Sequence, residues 1–178
     1  MNKITGMVHS ARRARFGALG VLLLLGALGV LPGGAAQTNA SGTASAAEAV
    51  PAITVYKTKM CGCCTKWVEH LEHSGLDVNV ILVDETSSVR ARLGIPPDLA
   101  SCHTAVAGDY WVEGHVPADL IQQLLQERPS DIQGIAAPGM SPGSPGMEST
   151  EPVTYHVFSV DDSGEVGIYA TRQGGDAN

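Results

Sequence analysis

Three of the four cysteines of this chain lie within four positions, in the sequence Cys61-Gly62-Cys63-Cys64. This crowding constrains the fold strongly, because three adjacent thiols must share one turn of backbone and one site. Cys61 and Cys64 form a CxxC pair suited to thiol–disulfide exchange, whereas all three cysteines together suit a soft metal ion such as Cu(I) or Zn(II). A purely structural disulfide framework is the third interpretation, and it is poor because the single distant cysteine, Cys102, cannot pair with three neighbours.

The residues around the cluster predict a strand before it and a helix after it. Residues 53–56 form a β-branched run typical of a strand, and apolar residues at helical spacing begin at Cys64. The free N–H groups and the positive dipole end of a helix N-terminus favour thiolate over thiol. Thiolate is both the nucleophile of disulfide exchange and the ligand of a soft metal, so this placement suits both alternatives.

The rest of the chain predicts a mixed α/β domain. The predicted elements are a strand at 77–83 in a buried central position, a short helix from Ser87 or Ser88 to Leu93, a hairpin of strands 104–107 and 110–113, a helix after Pro117, an irregular loop at 129–150, and a hairpin of strands 153–160 and 166–169. The order β-α-β-α-β-β-α predicts a thioredoxin-like fold with an added C-terminal β-hairpin.

The fourth cysteine bears on the choice between metal binding and redox chemistry. Thioredoxin-like redox proteins carry a cis-proline before the third strand, opposite the CxxC turn, whereas this chain has Ser101-Cys102-His103 there. The topology therefore predicts that Cys102 faces the cluster and completes a four-thiolate metal site with Cys61, Cys63 and Cys64. Four thiolates would balance four Cu(I) ions to zero net charge, which lowers the cost of burying them. A thiol–disulfide oxidoreductase using Cys61 and Cys64 is the alternative function.

Two histidines and two methionines are candidate secondary ligands. His103 adjoins Cys102, and His115 follows the strand that pairs with the one after Cys102, so either imidazole could serve a Cu(II) state. Framework roles are the alternative for both. Met140 and Met147 lie in a Gly- and Pro-rich stretch, residues 139–147, which we call the lid segment. We expect this segment to fold over the cysteines, to limit access of water and oxygen, and to offer thioethers to incoming Cu(I).

The N-terminus has the layout of a secretory signal peptide. Basic residues are followed by an uncharged apolar run of 16 residues at 16–31 and then by small residues. The predicted organisation is a signal peptide at 1–36, a flexible linker at 37–50, the copper-binding domain at 51–171 and a disordered tail at 172–178. An uncleaved membrane anchor is the alternative, although the run is short for a span. The expected location is the periplasm.

Charge excludes two classes of partner. Beyond position 37 the chain has seven basic and 18 acidic residues, a net charge of −11. No basic cluster occurs there, so we expect no nucleic-acid partner and no membrane association after signal cleavage.

The chain resembles the DUF411 family from about residue 53 to 150. The stretches that carry the resemblance are VYKT (55–58), CGCC (61–64), KWV (66–68), HL (70–71), ARLGIPPDLASCHT (91–104), EGHVP (113–117) and PGMSPGSPGME (138–148). The resemblance implies a thioredoxin-like domain that binds Cu(I) in a cysteine cluster and acts in copper resistance, with interconversion of Cu(I) and Cu(II). It favours a binding protein over an enzyme, with a copper oxidoreductase as a variant. Expected partners are copper ions and other periplasmic copper-efflux or copper-resistance proteins.

Overall fold

The computed structural model describes residues 50–151 and 153–174. Its elements are β1 (Ile53–Lys57), α1 (Gly62–His73), β2 (Val78–Leu82), α2 (Ser87–Leu93), a 3-10 turn (Pro97–Leu99), β3 (His103–Ala107), β4 (Tyr110–Gly114), α3 (Ala118–Glu127), β5 (Ile132–Ala137), β6 (Val153–Asp161) and β7 (Val166–Gly174). The predicted order of elements up to α3 is confirmed. The predicted signal peptide, and the linker up to residue 49, lie outside the described residues.

Within the described ranges, seven strands form one mixed sheet in the order β2-β1-β3-β4-β5-β6-β7. The neighbours β1 and β2 are parallel, as are β4 and β5, and the other pairs are antiparallel. Helices α1 and α3 are the crossovers of the two parallel pairs. The fold is thus α/β, and its thioredoxin-like character remains an interpretation of the element order.

The predicted central position of β2 is wrong. Among the described residues this strand pairs with β1 alone and lies at the edge of the sheet, and four of its five residues are exposed. The continuous apolar run of β2 is typical of a strand buried on both faces, and for that reason it predicts a central position. The chain instead places β3 on the other side of β1, which leaves Val80, Ile81 and Leu82 exposed.

The predicted loop at 129–150 contains a strand that sequence reasoning missed. Strand β5 pairs in parallel with β4 and buries its last four residues. Gly134 lies so close to Trp111 that no Cβ would fit between the two backbones. Glycine is typical of a loop, but at position 134 it allows β5 to lie close to β4 beside the bulky Trp111 side chain. Strand β7 also continues to Gly174, so the first three residues of the predicted disordered tail, 172–174, are strand. The remainder of that tail, 175–178, lies outside the described residues.

The hydrophobic core covers both faces of the sheet. The larger cluster packs α1 and α3 onto the sheet, and the predicted apolar face of α1, formed by Trp67, Val68 and Leu71, is buried in it. A smaller cluster on the other face includes Leu99 and Trp111. These contacts fix the end of β1, the start of α1 and the start of β3 relative to one another. None of the helices in the described part of the chain is long and apolar enough to cross a membrane.

Candidate metal centre

The cysteine cluster lies where β1 ends and α1 begins. Cys61 is the N-cap residue of α1, and its backbone N–H donates to the carbonyl of Thr58 at 3.3 Å. Cys63 and Cys64 lie in the first helical turn, where unpaired N–H groups favour negatively charged sulfur. Cys64 is buried and Cys61 and Cys63 are half-buried, while Met60, just outside the helix, is 89 % exposed. The cluster is therefore reachable from solvent on one side.

Cys102 lies opposite the cluster, in the short connection between the 3-10 turn and β3. Its Sγ is 3.8 Å from Cys63 Sγ, and Cys63 Sγ is 3.5 Å from Cys61 Sγ. The four cysteine sulfurs all lie within 4.8 Å of one another. The structure thus brings together the four cysteines predicted as ligands, although their separation in sequence reaches 41 positions.

Two of these cysteines are joined in a disulfide. Cys61 and Cys64 are bonded, with their Cα atoms 5.4 Å apart, and Cys63 and Cys102 are free thiols. The bonded pair is the CxxC pair of the redox alternative. In this oxidised form two thiols are available as ligands, and reduction of the disulfide is needed before all four sulfurs can bind a metal.

His115 directs a ring nitrogen at Cys102. Its Nε2 lies 3.1 Å from Cys102 Sγ, while its Nδ1–H donates to the carbonyl of Pro145 at 2.8 Å. Burial lowers the pKa of His115, so the ring is neutral at neutral pH. Because the carbonyl of Pro145 can only accept, Nδ1 carries the proton and Nε2 presents a lone pair to the sulfur. That lone pair can accept from the thiol or bind a metal.

His103 is the second imidazole at the sulfur. Its Nδ1 is 3.4 Å from Cys102 Sγ. The centroid of its ring lies 4.2 Å from the ring centroid of Trp67 and 4.8 Å from that of His115. Burial, and then the neighbouring His115, lower the pKa of His103 to about 3. Its Nε2 has no hydrogen-bond partner among the described residues. Cys102, His103 and His115 together form a second set of close ligand atoms.

The Cys102 thiol is poorly suited to ionise alone. Burial, followed by the proximity of Cys63, raises the pKa of Cys102 to about 11. A bound cation would reverse this preference, since an opposite charge next to the sulfur favours thiolate. The site therefore favours ionised sulfur at this position only when a cation is present.

The lid segment packs against the first turn of α1. A Cβ on Gly146 would lie 2.7 Å from the carbonyl oxygen of Cys63 and 2.9 Å from the backbone nitrogen of Trp67. Internal bonds hold the segment in shape, among them one of 2.7 Å from the Gly143 N–H to the Met147 carbonyl. The lid segment thus contacts the backbone of α1 beside the cysteines, and its predicted role as a cover that limits access of water and oxygen stays a prediction.

The two lid methionines occupy different environments. Met140 is 60 % exposed and Met147 is half-buried. The lid contacts at the site described above come from Pro145 and Gly146. Roles for the two thioethers in copper capture therefore stay predictions.

Comparison with known proteins identifies the family. The family model described as "Protein of unknown function, DUF411" matches residues 99–147. A solved structure titled "Copper resistance protein copG- Form 2" is 41% identical, covering 68% of this chain and 97% of its own, with a TM-score of 0.64. A second, titled "Copper resistance protein copG- Form 1", is 40% identical, covering 69% and 98%, also with a TM-score of 0.64. The chain belongs to the DUF411 family. No curated protein matches it.

Sequence reasoning missed a buried polar cluster behind the site of this DUF411 protein. Glu113 on β4 is fully buried and accepts bonds from Ser101 and Thr104, which flank the Cys102–His103 pair. Arg90 of α2 lies 3.3 Å from its carboxylate. An acidic residue within the apolar strand 110–113 was the available signal, because such a residue is rarely buried unless it is paired.

Proposed function

We propose that this DUF411 protein is a periplasmic Cu(I)-binding protein of copper resistance, holding copper through Cys61, Cys63, Cys64 and Cys102. The observation that carries the proposal is the convergence of four sulfurs, from two separate segments, within 4.8 Å. Both similar solved structures are of a copper resistance protein, which supports copper as the metal. Export through the segment 1–36 and exchange of copper with other periplasmic copper-efflux or copper-resistance proteins belong to the same proposal.

The donor set suits Cu(I) as cargo. Soft thiolates select Cu(I) over hard cations, and a multinuclear arrangement would balance the charge of four thiolates. The neutral imidazole of His115 adds a harder donor beside Cys102, which suits interconversion of Cu(I) and Cu(II). In a balanced step, oxidation of the Cys61 and Cys64 thiols to their disulfide would release two electrons and two protons, and the two electrons would reduce two Cu(II) ions to Cu(I).

An anaerobic Cu(I) titration of the reduced chain, lacking residues 1–36, tests the proposal. We expect several Cu(I) ions per monomer in the wild type and fewer in Cys102→Ser. Ser163→Ala, in the exposed turn between β6 and β7, is the control and should bind as the wild type does. Full stoichiometry in Cys102→Ser would overturn the four-sulfur site. X-ray absorption of protein isolated from copper-stressed cells would give the metal and its oxidation state.

A thiol–disulfide oxidoreductase is the second candidate function, and the Cys61–Cys64 disulfide favours it. This function predicts reduction of insulin disulfides by the reduced chain at a rate that Cys102→Ser leaves unchanged. Loss of that activity in Cys61→Ser, with copper binding unaffected, would replace the copper proposal.

A further inference from the structure

The segment that carries Cys102 is held by hydrogen bonds on both sides of the cysteine. On one side, the backbone N–H of Ser101 donates to Glu113 Oε1 at 2.6 Å. On the other, the hydroxyl of Thr104 donates to Glu113 Oε2 at 2.6 Å. One fully buried carboxylate therefore ties down both flanks of the Cys102–His103 pair.

Arg90 completes this arrangement from helix α2. Its Nη1 donates to Glu113 Oε1 at 3.3 Å, to the carbonyl of Ser101 at 3.1 Å and to the hydroxyl of Thr86 at 2.7 Å. The N–H and C=O of Ser101 are thus both bonded to this charged pair. We call Arg90, Glu113 and Thr104 the polar clamp.

The polar clamp also connects to the start of the lid. The Ser101 hydroxyl donates to the carbonyl of Gly139, and the Gly139 N–H donates to the carbonyl of Ala100 at 2.9 Å. Ser101 and Gly139 also pair as an isolated parallel β-bridge. Movement of Ser101 would therefore shift Cys102 and the root of the lid together.

Burial of the Glu113 carboxylate carries a desolvation cost that the bonds of the clamp must offset. Taking a carboxylate and a guanidinium out of water is expensive, and well-packed apolar residues of similar volume are often as stable or more so. The bonds of the clamp converge on the residues that flank Cys102. The described peptide bonds are all trans, so Cys102 is not placed by a cis-proline.

We propose that Glu113, assisted by Arg90, is a positioning residue that sets Cys102 opposite Cys63 and thereby sets the geometry of the four-sulfur site. This inference rests on the proposed copper function. Without the carboxylate, the N–H of Ser101 and the hydroxyl of Thr104 lose their acceptor, and the segment is free to move away from Cys63. Glu113 then acts on copper only through Cys102.

The first measurement is made on the reduced, metal-free protein: the rate at which iodoacetamide alkylates each cysteine, followed by mass spectrometry. Because the Ser101 N–H and the Thr104 hydroxyl both lose a charged acceptor, we expect Cys102 in Glu113→Ala to react about tenfold faster or more. Glu113→Gln retains one acceptor for the Ser101 N–H and should show a smaller increase. Glu127→Gln, an exposed acid-to-amide change on α3, is the matched control and should react as the wild type does. Equal Cys102 rates in the wild type and both Glu113 variants overturn the positioning role.

The second measurement is a double-mutant cycle on anaerobic Cu(I) affinity. We expect Glu113→Gln to weaken binding in the wild type and to have no further effect in Cys102→Ser, because both changes act through the same sulfur. Additive effects overturn the inference. Far-UV circular dichroism checks that each variant is folded. If Glu113→Ala does not fold, the conclusion is drawn from Glu113→Gln.

The cycle separates this inference from the proposed function. Wild-type binding in Cys102→Ser overturns the four-sulfur site itself. Weakened binding in Cys102→Ser, together with wild-type binding in both Glu113 variants, overturns only the positioning role.

Discussion

Replacing Gly146 with alanine tests how tightly the lid segment packs on the cysteine site. Gly146 has φ +81°, a conformation that costs a residue with a Cβ about 1–2 kcal/mol. The new methyl group would also lie 2.7 Å from the Cys63 carbonyl oxygen and 2.9 Å from the Trp67 nitrogen, both backbone atoms of helix α1. Overpacking of this kind costs about 1–3 kcal/mol. We therefore expect Gly146→Ala to lower the free energy of unfolding by about 2–5 kcal/mol, or to displace the lid.

Gly164 provides the matched control for this change. It has φ +84° in the turn between β6 and β7, and a Cβ there would meet no atom within 4 Å. Gly164→Ala should cost only the conformational part, about 1–2 kcal/mol. The difference between the two variants then isolates the contact of the lid with helix α1.

Urea unfolding of the metal-free, reduced protein gives both free energies. Displacement of the lid can also relieve the steric cost, so the rate of Cu(I) transfer to a chelator is measured on the same variants. We expect Gly146→Ala to transfer copper faster than Gly164→Ala. Equal destabilisation by the two variants, with equal transfer rates, would refute the packing of the lid on the site.

Two further predictions concern copper handling. The double change Met140→Ala and Met147→Ala should leave the Cu(I) stoichiometry intact but alter the rate of Cu(I) transfer to a chelator. The reason is that thiolates dominate the affinity, whereas thioethers act in exchange. An unchanged transfer rate would leave the lid segment as a passive cover. Oxidised protein carrying the Cys61–Cys64 disulfide should bind fewer Cu(I) ions than reduced protein, since two of the four sulfurs are occupied by their mutual bond; equal stoichiometry in anaerobic titrations of the two forms would contradict this.

The sequence predicts the parts of the fold that depend on local pattern. The apolar face of α1 and the hairpin of β3 and β4 follow from the spacing of residues that are neighbours in the chain. Strand β5 does not, because the close approach of Gly134 to Trp111 is a tertiary contact that no local pattern reveals. The edge position of β2 likewise depends on which strand takes the other side of β1. Local composition could not decide that.

The same division holds at the candidate site. The position of Cys102 could be predicted, because the order of elements places the start of β3 next to the end of β1. The roles of Glu113 and Arg90 could not, since they bond residues 12 and 11 positions away from them, respectively. The Pro145 carbonyl, which fixes the tautomer of His115, lies 30 positions along the chain. Sequence spacing gives no sign of such pairs.

The separation of the four cysteines in sequence links the proposed copper binding to folding. Cys63 and Cys102 lie 39 positions apart, and their sulfurs are 3.8 Å apart only when β1, α1 and β3 are assembled. An unfolded chain keeps three thiols close together in sequence but has no fixed fourth sulfur, so a cation that uses all four binds the folded chain more tightly. Such differential binding stabilises the fold by mass action. The polar clamp works in the same direction before any metal arrives. By holding Cys102 in place, it moves the cost of ordering the fourth ligand from the binding step to the folding step.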